Sequence, residues 1–91
     1  MNRNSTKELY SLIAKENNVN NIEKFFAEMF TKTELETLLK RWQIIKLLNE
    51  GKTQRHIARE LKVSLCKVTR GSQILKNKDS IVAKYLGKDK K

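Results

Sequence analysis

The apolar residues of this chain recur every three or four positions, which is the spacing of one face of an α-helix. The clearest stripe predicts a helix that begins at Asn20 or Asn21. Its apolar members are Ile22, Phe25, Phe26, Met29 and Phe30. A shorter stripe around Leu12 predicts an earlier helix, with Ser5 and Glu8 at the spacing of a capping box. The first third of the chain therefore predicts two amphipathic helices.

A third and longer helix is predicted from Thr31 to about Glu50. Thr31 and Glu34 have the capping-box spacing, and Gly51 follows the last apolar residues. At about 100° per residue, the apolar side chains of this helix cover more than one face. Such a helix must be buried on several sides. A second copy of the chain could supply the cover, in an obligate and interlocked homodimer, or the chain could be a compact monomer centred on this helix.

Residues 53–72 have the pattern of two short amphipathic helices joined by a tight turn. Thr53 and Ser64 are suited to cap them, because a short side-chain oxygen accepts from an unpaired N–H in the first turn. The predicted inward faces are Ile57, Ala58 and Leu61 in the first helix, and Leu65, Val68, Ser72 and Leu75 in the second. With basic residues on the outward side, this pattern is typical of a helix-turn-helix DNA-binding motif. The alternative is an ordinary pair of short surface helices.

The remainder of the chain completes an all-helical prediction. It contains no proline and only three glycines, so no long flexible linker is expected. Asp79 or Ser80 is expected to cap a short final helix that ends at Gly87, before a solvated basic tail of Lys88, Lys90 and Lys91. We predict one all-α domain of about six helices over residues 1–91. It comprises dimerisation and core helices in 1–50, a helix-turn-helix head in 53–76 and a C-terminal helix in 79–87.

Charge is concentrated in the half that contains this motif. The chain has a formal net charge of +10. Residues 1–50 carry 8 basic and 7 acidic side chains, whereas residues 51–91 carry 12 and 3. Clustered positive charge favours nucleic-acid binding, because contacts with phosphates release condensed counterions. A solvated basic face or a membrane-surface patch is the alternative.

Other classes of function find little support in the sequence. One cysteine, Cys66, and one histidine, His56, cannot form a disulfide framework, a multi-thiolate zinc site or a catalytic triad. We therefore expect neither an enzyme nor a metal site. No apolar run approaches the roughly 20 residues that span a bilayer. A cytoplasmic protein without membrane contact is predicted.

The outward residues of the two short helices are the predicted contacts with double-stranded DNA. Lys67 is the first choice for a guanine or phosphate contact, with Ser64, Leu65 and Cys66 near the groove floor. Arg55 could form a bidentate contact with guanine, whereas amide and hydroxyl side chains suit phosphates. The full predicted set is Thr53, Gln54, Arg55, Ser64, Leu65, Cys66, Lys67, Thr69, Ser72, Gln73 and Lys76.

Arg70, Gly71 and Ile74 do not fit a purely DNA-binding role. Ile74 is predicted on the outer side of its helix, one turn after Arg70, so the pair could form a half-apolar, half-cationic pocket wall. Gly71 inside a helix costs roughly 1 kcal/mol relative to alanine. Its presence indicates close approach by a flat ligand or, alternatively, by another helix.

Thr69-Arg70-Gly71-Ser72, followed by Leu75-Lys76, is the most specific part of a longer resemblance over about Phe30 to Lys76. Upstream, Phe30-Thr31, Arg41, Ile44, Leu48 and Thr53-Gln54-Arg55 also match. In these positions the chain resembles the tryptophan repressor family. The resemblance implies an intertwined all-helical homodimer whose two heads enter successive major grooves of an operator, with L-tryptophan as corepressor.

The resemblance also implies a set of ligand-binding residues. Arg41 and Arg70 would sandwich the indole, since guanidinium planes stack on aromatic rings. Arg70 and Thr31 would bind the carboxylate, and Gly71 would pack against the ring. The backbone carbonyls of Glu28 and Phe30 would accept from the amino group.

Several positions depart from the family pattern. Ile74 stands where the family typically has serine, and Glu28 where an apolar side chain is usual. These changes leave open an altered affinity, a different amine-bearing corepressor or no corepressor at all. Lys67 and Ala58 also differ, so the operator sequence does not carry over. A further group of family members is described only as Trp-repressor-like. At Arg41-Trp42 and Leu47-Leu48 the chain resembles that group at least as closely.

Overall fold

The computed structural model describes residues 3–87, and this part of the chain is all-helical with six helices and no strand. The predicted fold class is confirmed. The helices are α1 (Arg3–Lys15), α2 (Val19–Met29), α3 (Lys32–Asn49), α4 (Gln54–Leu61), α5 (Leu65–Lys76) and α6 (Ile81–Tyr85). The predicted basic tail from Lys88 onward lies outside the described residues.

The chain divides into two compact units, Met1–Leu35 and Glu36–Lys91. Helix α3 crosses the division, so its first turn belongs to the first unit and the remainder to the second. The predicted functional division of the chain, into core helices over 1–50 and a head over 53–76, stays a prediction.

In the first unit, two predicted helix starts were wrong. Helix α1 already includes Ser5, so Ser5 and Glu8 do not cap it. Helix α2 is capped by Asn18, whose side chain accepts from the Asn21 N–H at 3.2 Å. Asn20 and Asn21 already lie inside α2, so neither can be its N-cap.

The apolar stripe of α2 finds only partial cover within the chain. No residue of this helix is buried. Phe25 and Phe26 meet edge to face, and the rings of Phe26 and Phe30 stack with centroids 5.3 Å apart. Met29 remains 58% exposed and Val19 78% exposed. Of the five residues of the stripe, Met29 is thus exposed and the other four are only half-buried.

The capping box predicted at the start of α3 is confirmed. The Thr31 N–H donates to Glu34 Oε1 at 2.9 Å, and the Glu34 N–H donates to Thr31 Oγ1 at 3.1 Å. This reciprocal pair satisfies two backbone donors at the helix start and sets where α3 begins.

The second unit has two small hydrophobic clusters that meet on α3. Ile44 packs with Ile57 and Val68, and its neighbour Ile45 packs with Leu75 and Ala83. Ile44 and Ile45 are only 2% and 3% exposed. Adjacent helical residues point about 100° apart, so α3 supports α4 and α5 with one side and α5 and α6 with the other. This arrangement explains much of the wide apolar arc on α3. Leu39 and Trp42 nevertheless remain 52% and 41% exposed.

The inward face of α5 differs from the prediction. Val68, Gly71 and Leu75 are its buried residues, whereas Leu65 is 44% exposed and Ser72 is half-buried. The buried face is rotated towards Gly71 from the predicted one, because glycine carries no hydrophobic signal in the sequence pattern. The close contact of Gly71 with α3 places it at the middle of the buried face.

The final helix begins where one of the two alternatives placed it. Ser80 caps α6, and its Oγ accepts from the Ala83 N–H at 3.0 Å. The Asn49 side-chain amide donates to the Leu86 carbonyl at 3.3 Å, which ties the end of α3 to the end of α6. None of the helices within residues 3–87 combines the length and the apolar character needed to cross a bilayer.

The turn after α4 contains a residue with a strained backbone conformation, and a substitution could remove this strain. Lys62 has φ +57° and ψ +47°, a left-handed conformation that is unfavourable for residues with a Cβ atom. We expect Lys62→Gly to raise the free energy of unfolding by about 0.5 to 1 kcal/mol, measured by urea denaturation. Lys52→Gly removes the same charge from the preceding loop without relieving such strain and should not stabilise the protein. Equal stabilisation by both variants would contradict this account.

Candidate nucleic-acid interface

The helix-turn-helix head is formed by α4, the turn at 62–64 and α5. Thr53 Oγ1 accepts from the His56 N–H at 3.1 Å, and Ser64 Oγ accepts from the Lys67 N–H at 3.3 Å. Both predicted N-caps are therefore confirmed. Ile57 of α4 and Val68 of α5 are fully buried in one cluster with Ile44. The outward side chains of α5 are thus carried on a fixed support.

An open groove of about 500 Å³ runs along the exposed side of α5. It is lined by Leu65, Cys66, Lys67, Thr69, Arg70 and Gln73, all of them exposed. Five of these six are predicted DNA contacts, and the sixth, Arg70, is a predicted ligand contact. We call this surface the α5 groove.

The α5 groove combines cationic, polar and apolar groups. Within residues 3–87, Lys67 and Arg70 form no ion pair, so their charges are available to an anion. Cys66 is an exposed free thiol beside Leu65. Cations suit phosphates and guanine edges, and small apolar groups suit thymine methyls. The chemistry of the groove fits double-stranded DNA.

The other predicted DNA contacts lie in the head but outside the groove lining. Arg55 and Thr53 are exposed at the start of α4, and Lys76 is exposed in the last turn of α5. Ser72 is half-buried, which leaves it the least accessible of the predicted set on α5. His56 forms an exposed pair with Glu60 at 2.9 Å, one turn along α4.

One contact in the head could not be found from the sequence. Thr69 Oγ1 donates to Gln54 Oε1 at 3.0 Å, across 15 residues. Both residues were predicted as DNA contacts, each on its own helix. Nothing in the spacing indicated that they meet, because their proximity depends on how α4 and α5 cross.

Three of the predicted ligand-binding residues belong to the first unit. Glu28 is exposed near the end of α2. Phe30 follows the helix as its C-cap, and its N–H donates to the Phe26 carbonyl at 2.9 Å. Thr31 is the capping residue of α3, and its hydroxyl keeps a proton that it can donate.

The other four predicted ligand-binding residues lie on α3 and α5. Arg41 is exposed one turn before Ile44 and Ile45, and Arg70 directly precedes Gly71. A Cβ on Gly71 would lie 3.0 Å from Ile44 Cγ2. Each arginine is therefore close in sequence to a residue of the contact between α3 and α5.

The sequence predicted Ile74 on the outer side of α5, and this prediction was wrong. It is half-buried and packs against the cluster of Ile45, Leu75 and Ala83. Its assignment to the ligand site stays a prediction. Among the described residues, no group of His, Cys, Asp or Glu side chains could hold a metal ion.

Comparison with known proteins identifies the family. The family model described as Trp repressor protein matches residues 4–90. This chain belongs to the Trp repressor family. The family is one of DNA-binding transcriptional repressors rather than enzymes.

Relatives of this Trp repressor family member are found in Chlamydia trachomatis. The proteins of serovar D and serovar L2, each named Trp operon repressor homolog, are 38% identical to it over 72 residues. The matched region covers 74% of this chain and 77% of each relative. No solved structure gives a significant match.

In this Trp repressor family member, Gly71 is required by the packing of α5 on α3. An added Cβ would also lie 3.4 Å from Ile45 Cγ1 and from Leu48 Cδ1. Ile44 is buried and β-branched, so its side chain has little freedom to move away. We expect Gly71→Ala to lower the free energy of unfolding by about 1 kcal/mol, since crowding outweighs the gain in helix propensity.

The same denaturation experiment should include Gly71→Val as a graded variant. Because its side chain is larger than that of alanine, we expect Gly71→Val to lower the free energy of unfolding by about 2 kcal/mol or more. A gain in stability with alanine would show that Ile44 moves freely and would contradict the packing argument.

Proposed function

We propose that this chain is a sequence-specific, operator-binding transcriptional repressor that acts as a homodimer and responds to L-tryptophan or a related amino acid. The observation that carries the proposal is the α5 groove. It presents two cations without ion-pair partners among the described residues, Lys67 and Arg70, on the outward side of a rigidly supported helix. Membership of a repressor family supports the DNA-binding part.

The homodimer is supported by apolar surface that the chain leaves open. Val19 and Met29 on α2, and Leu39 and Trp42 on α3, are between 41% and 78% exposed. Large apolar side chains exposed on two successive helices favour a partner that covers them, because monomeric proteins rarely expose large contiguous apolar patches. A second copy would cover such residues and place two heads at a fixed spacing for two half-sites.

The amino-acid response is supported by Arg41 and Arg70. Both are exposed, Arg41 one turn before Ile44 on α3 and Arg70 directly before Gly71 on α5. Guanidinium groups can stack on an aromatic ring and pair with a carboxylate, which are the two features of an aromatic amino acid. The relatives in Chlamydia trachomatis carry the name Trp operon repressor homolog, which is consistent with this ligand.

A repressor that binds DNA without any ligand is the second candidate. It is favoured by Ile74, which packs into the core where a hydroxyl partner for the ligand would be expected. Footprinting of the operator with and without tryptophan separates the two candidates.

The operator should be found by selecting bound duplexes from a random DNA pool. We expect a two-fold symmetric site with half-sites about one helical turn apart. Lys67→Ala should weaken binding to that site by about 1 to 3 kcal/mol and relax the preference at one base position.

Lys24→Ala is the matched control, because it removes the same charge from α2 in the first unit. Its affinity should stay close to that of the wild type. Binding that shows no preferred sequence, and that falls equally for both variants, would favour a basic protein- or RNA-binding module over an operator-binding repressor.

The corepressor is tested by isothermal titration with L-tryptophan, followed by operator binding with and without it. The ligand should raise operator affinity by about 1 to 3 kcal/mol, and Arg41→Ala should abolish the response. Lys40→Ala removes the adjacent cation of α3, and this variant should keep the response to tryptophan. Absence of heat at high tryptophan concentration would exclude tryptophan as the ligand while leaving operator binding intact.

A further inference from the structure

The hydrogen bond between Thr69 and Gln54 connects the two helices of the head on the side that faces outward. Thr69 lines the α5 groove, and Gln54 is the first residue of α4. With Thr69 Oγ1 donating to Gln54 Oε1 at 3.0 Å, the carboxamide of Gln54 is held at the edge of the groove.

The Thr69 hydroxyl has a single proton, which limits the hydrogen bonds that Thr69 can donate to DNA. A threonine hydroxyl has one proton, and phosphate oxygens accept hydrogen bonds but donate none. Because Thr69 gives its proton to Gln54, it cannot donate that proton to a phosphate in the same arrangement. A direct phosphate contact by Thr69 would therefore require the bond between the two helices to break.

Gln54 is the group that this bond leaves ready for a phosphate. A carboxamide has an accepting oxygen on one arm and a donating –NH2 on the other. With the oxygen occupied by Thr69, the planar group is oriented, and no bond within residues 3–87 occupies the –NH2. The backbone at this point is also fixed, since the preceding Thr53 caps α4 through the His56 N–H.

We propose that Thr69 is a positioning residue that acts on DNA through Gln54 and makes no phosphate contact of its own. The proposal rests on the operator binding described above. Gln54 then donates to the phosphate backbone from an orientation set before binding. Because the bond joins α4 to α5, it also ties the backbone contact of one helix to the base-reading side chains of the other.

A double-mutant cycle in operator affinity tests the proposal. Thr69→Val keeps the shape of the side chain and removes its proton, whereas Thr69→Ser keeps the proton. Thr69→Val and Gln54→Ala should each weaken binding to the selected duplex about threefold to tenfold. The double variant should bind the duplex about as tightly as the single variant with the lower affinity, since each change disables the same contact. Thr69→Ser should bind within about twofold of the wild type.

Thermal unfolding of each variant identifies a purely structural effect. We expect the midpoints of Thr69→Val and Thr69→Ser to stay within a few degrees of the wild type, so that the loss of affinity does not follow the loss of stability. Losses that add in the double variant would show that Thr69 contacts DNA itself and would overturn the proposal. Unchanged affinity of Thr69→Val, with the wild type bound specifically, would overturn it without affecting the proposed repressor function. A wild type that prefers no sequence would overturn both.

Discussion

The close contact of α5 with α3 at Gly71 is the constraint on which the second unit depends. Because Gly71 has no side chain, Ile44 and Ile45 can pack directly against α5. Those two neighbours on α3 begin two different clusters, one under α4 and one under α6. All six buried apolar residues of the chain's described part belong to these two clusters, and each cluster includes one of the two α3 residues beside Gly71.

The same contact gives α5 two different sides. Val68, Gly71 and Leu75 are buried, and the opposite side carries the α5 groove with Lys67 and Arg70. A helix fixed along one side can hold its other side chains at a constant position, which recognition of base edges requires. Arg70 stands directly before Gly71, so a ligand bound there would act on the proposed DNA-reading helix.

Much of the fold could be predicted from the sequence because it rests on local chemistry. The caps at Thr31, Thr53 and Ser64 use hydrogen bonds between residues three apart, and all three are present. The errors arose where the local signal was ambiguous or absent. Several asparagines near the start of α2 were suitable as its N-cap. The glycine at the centre of the buried side of α5 is not visible in the hydrophobic pattern. Ile74 was misplaced for the same reason, since the predicted buried face was rotated away from Gly71 and left this packed residue on the outer side.

The sequence by itself determined that the chain is helical, the caps of α3, α4 and α5, the concentration of charge in the head and the resemblance to the Trp repressor family. These depend on residue type and on spacing within one or two turns. The tertiary structure alone decided which side of α5 is buried, that Ile44 and Ile45 serve separate clusters, and that Thr69 meets Gln54. Each of these depends on how two helices cross. A crossing is set by packing between residues far apart in the chain, and periodicity within one helix carries no information about it.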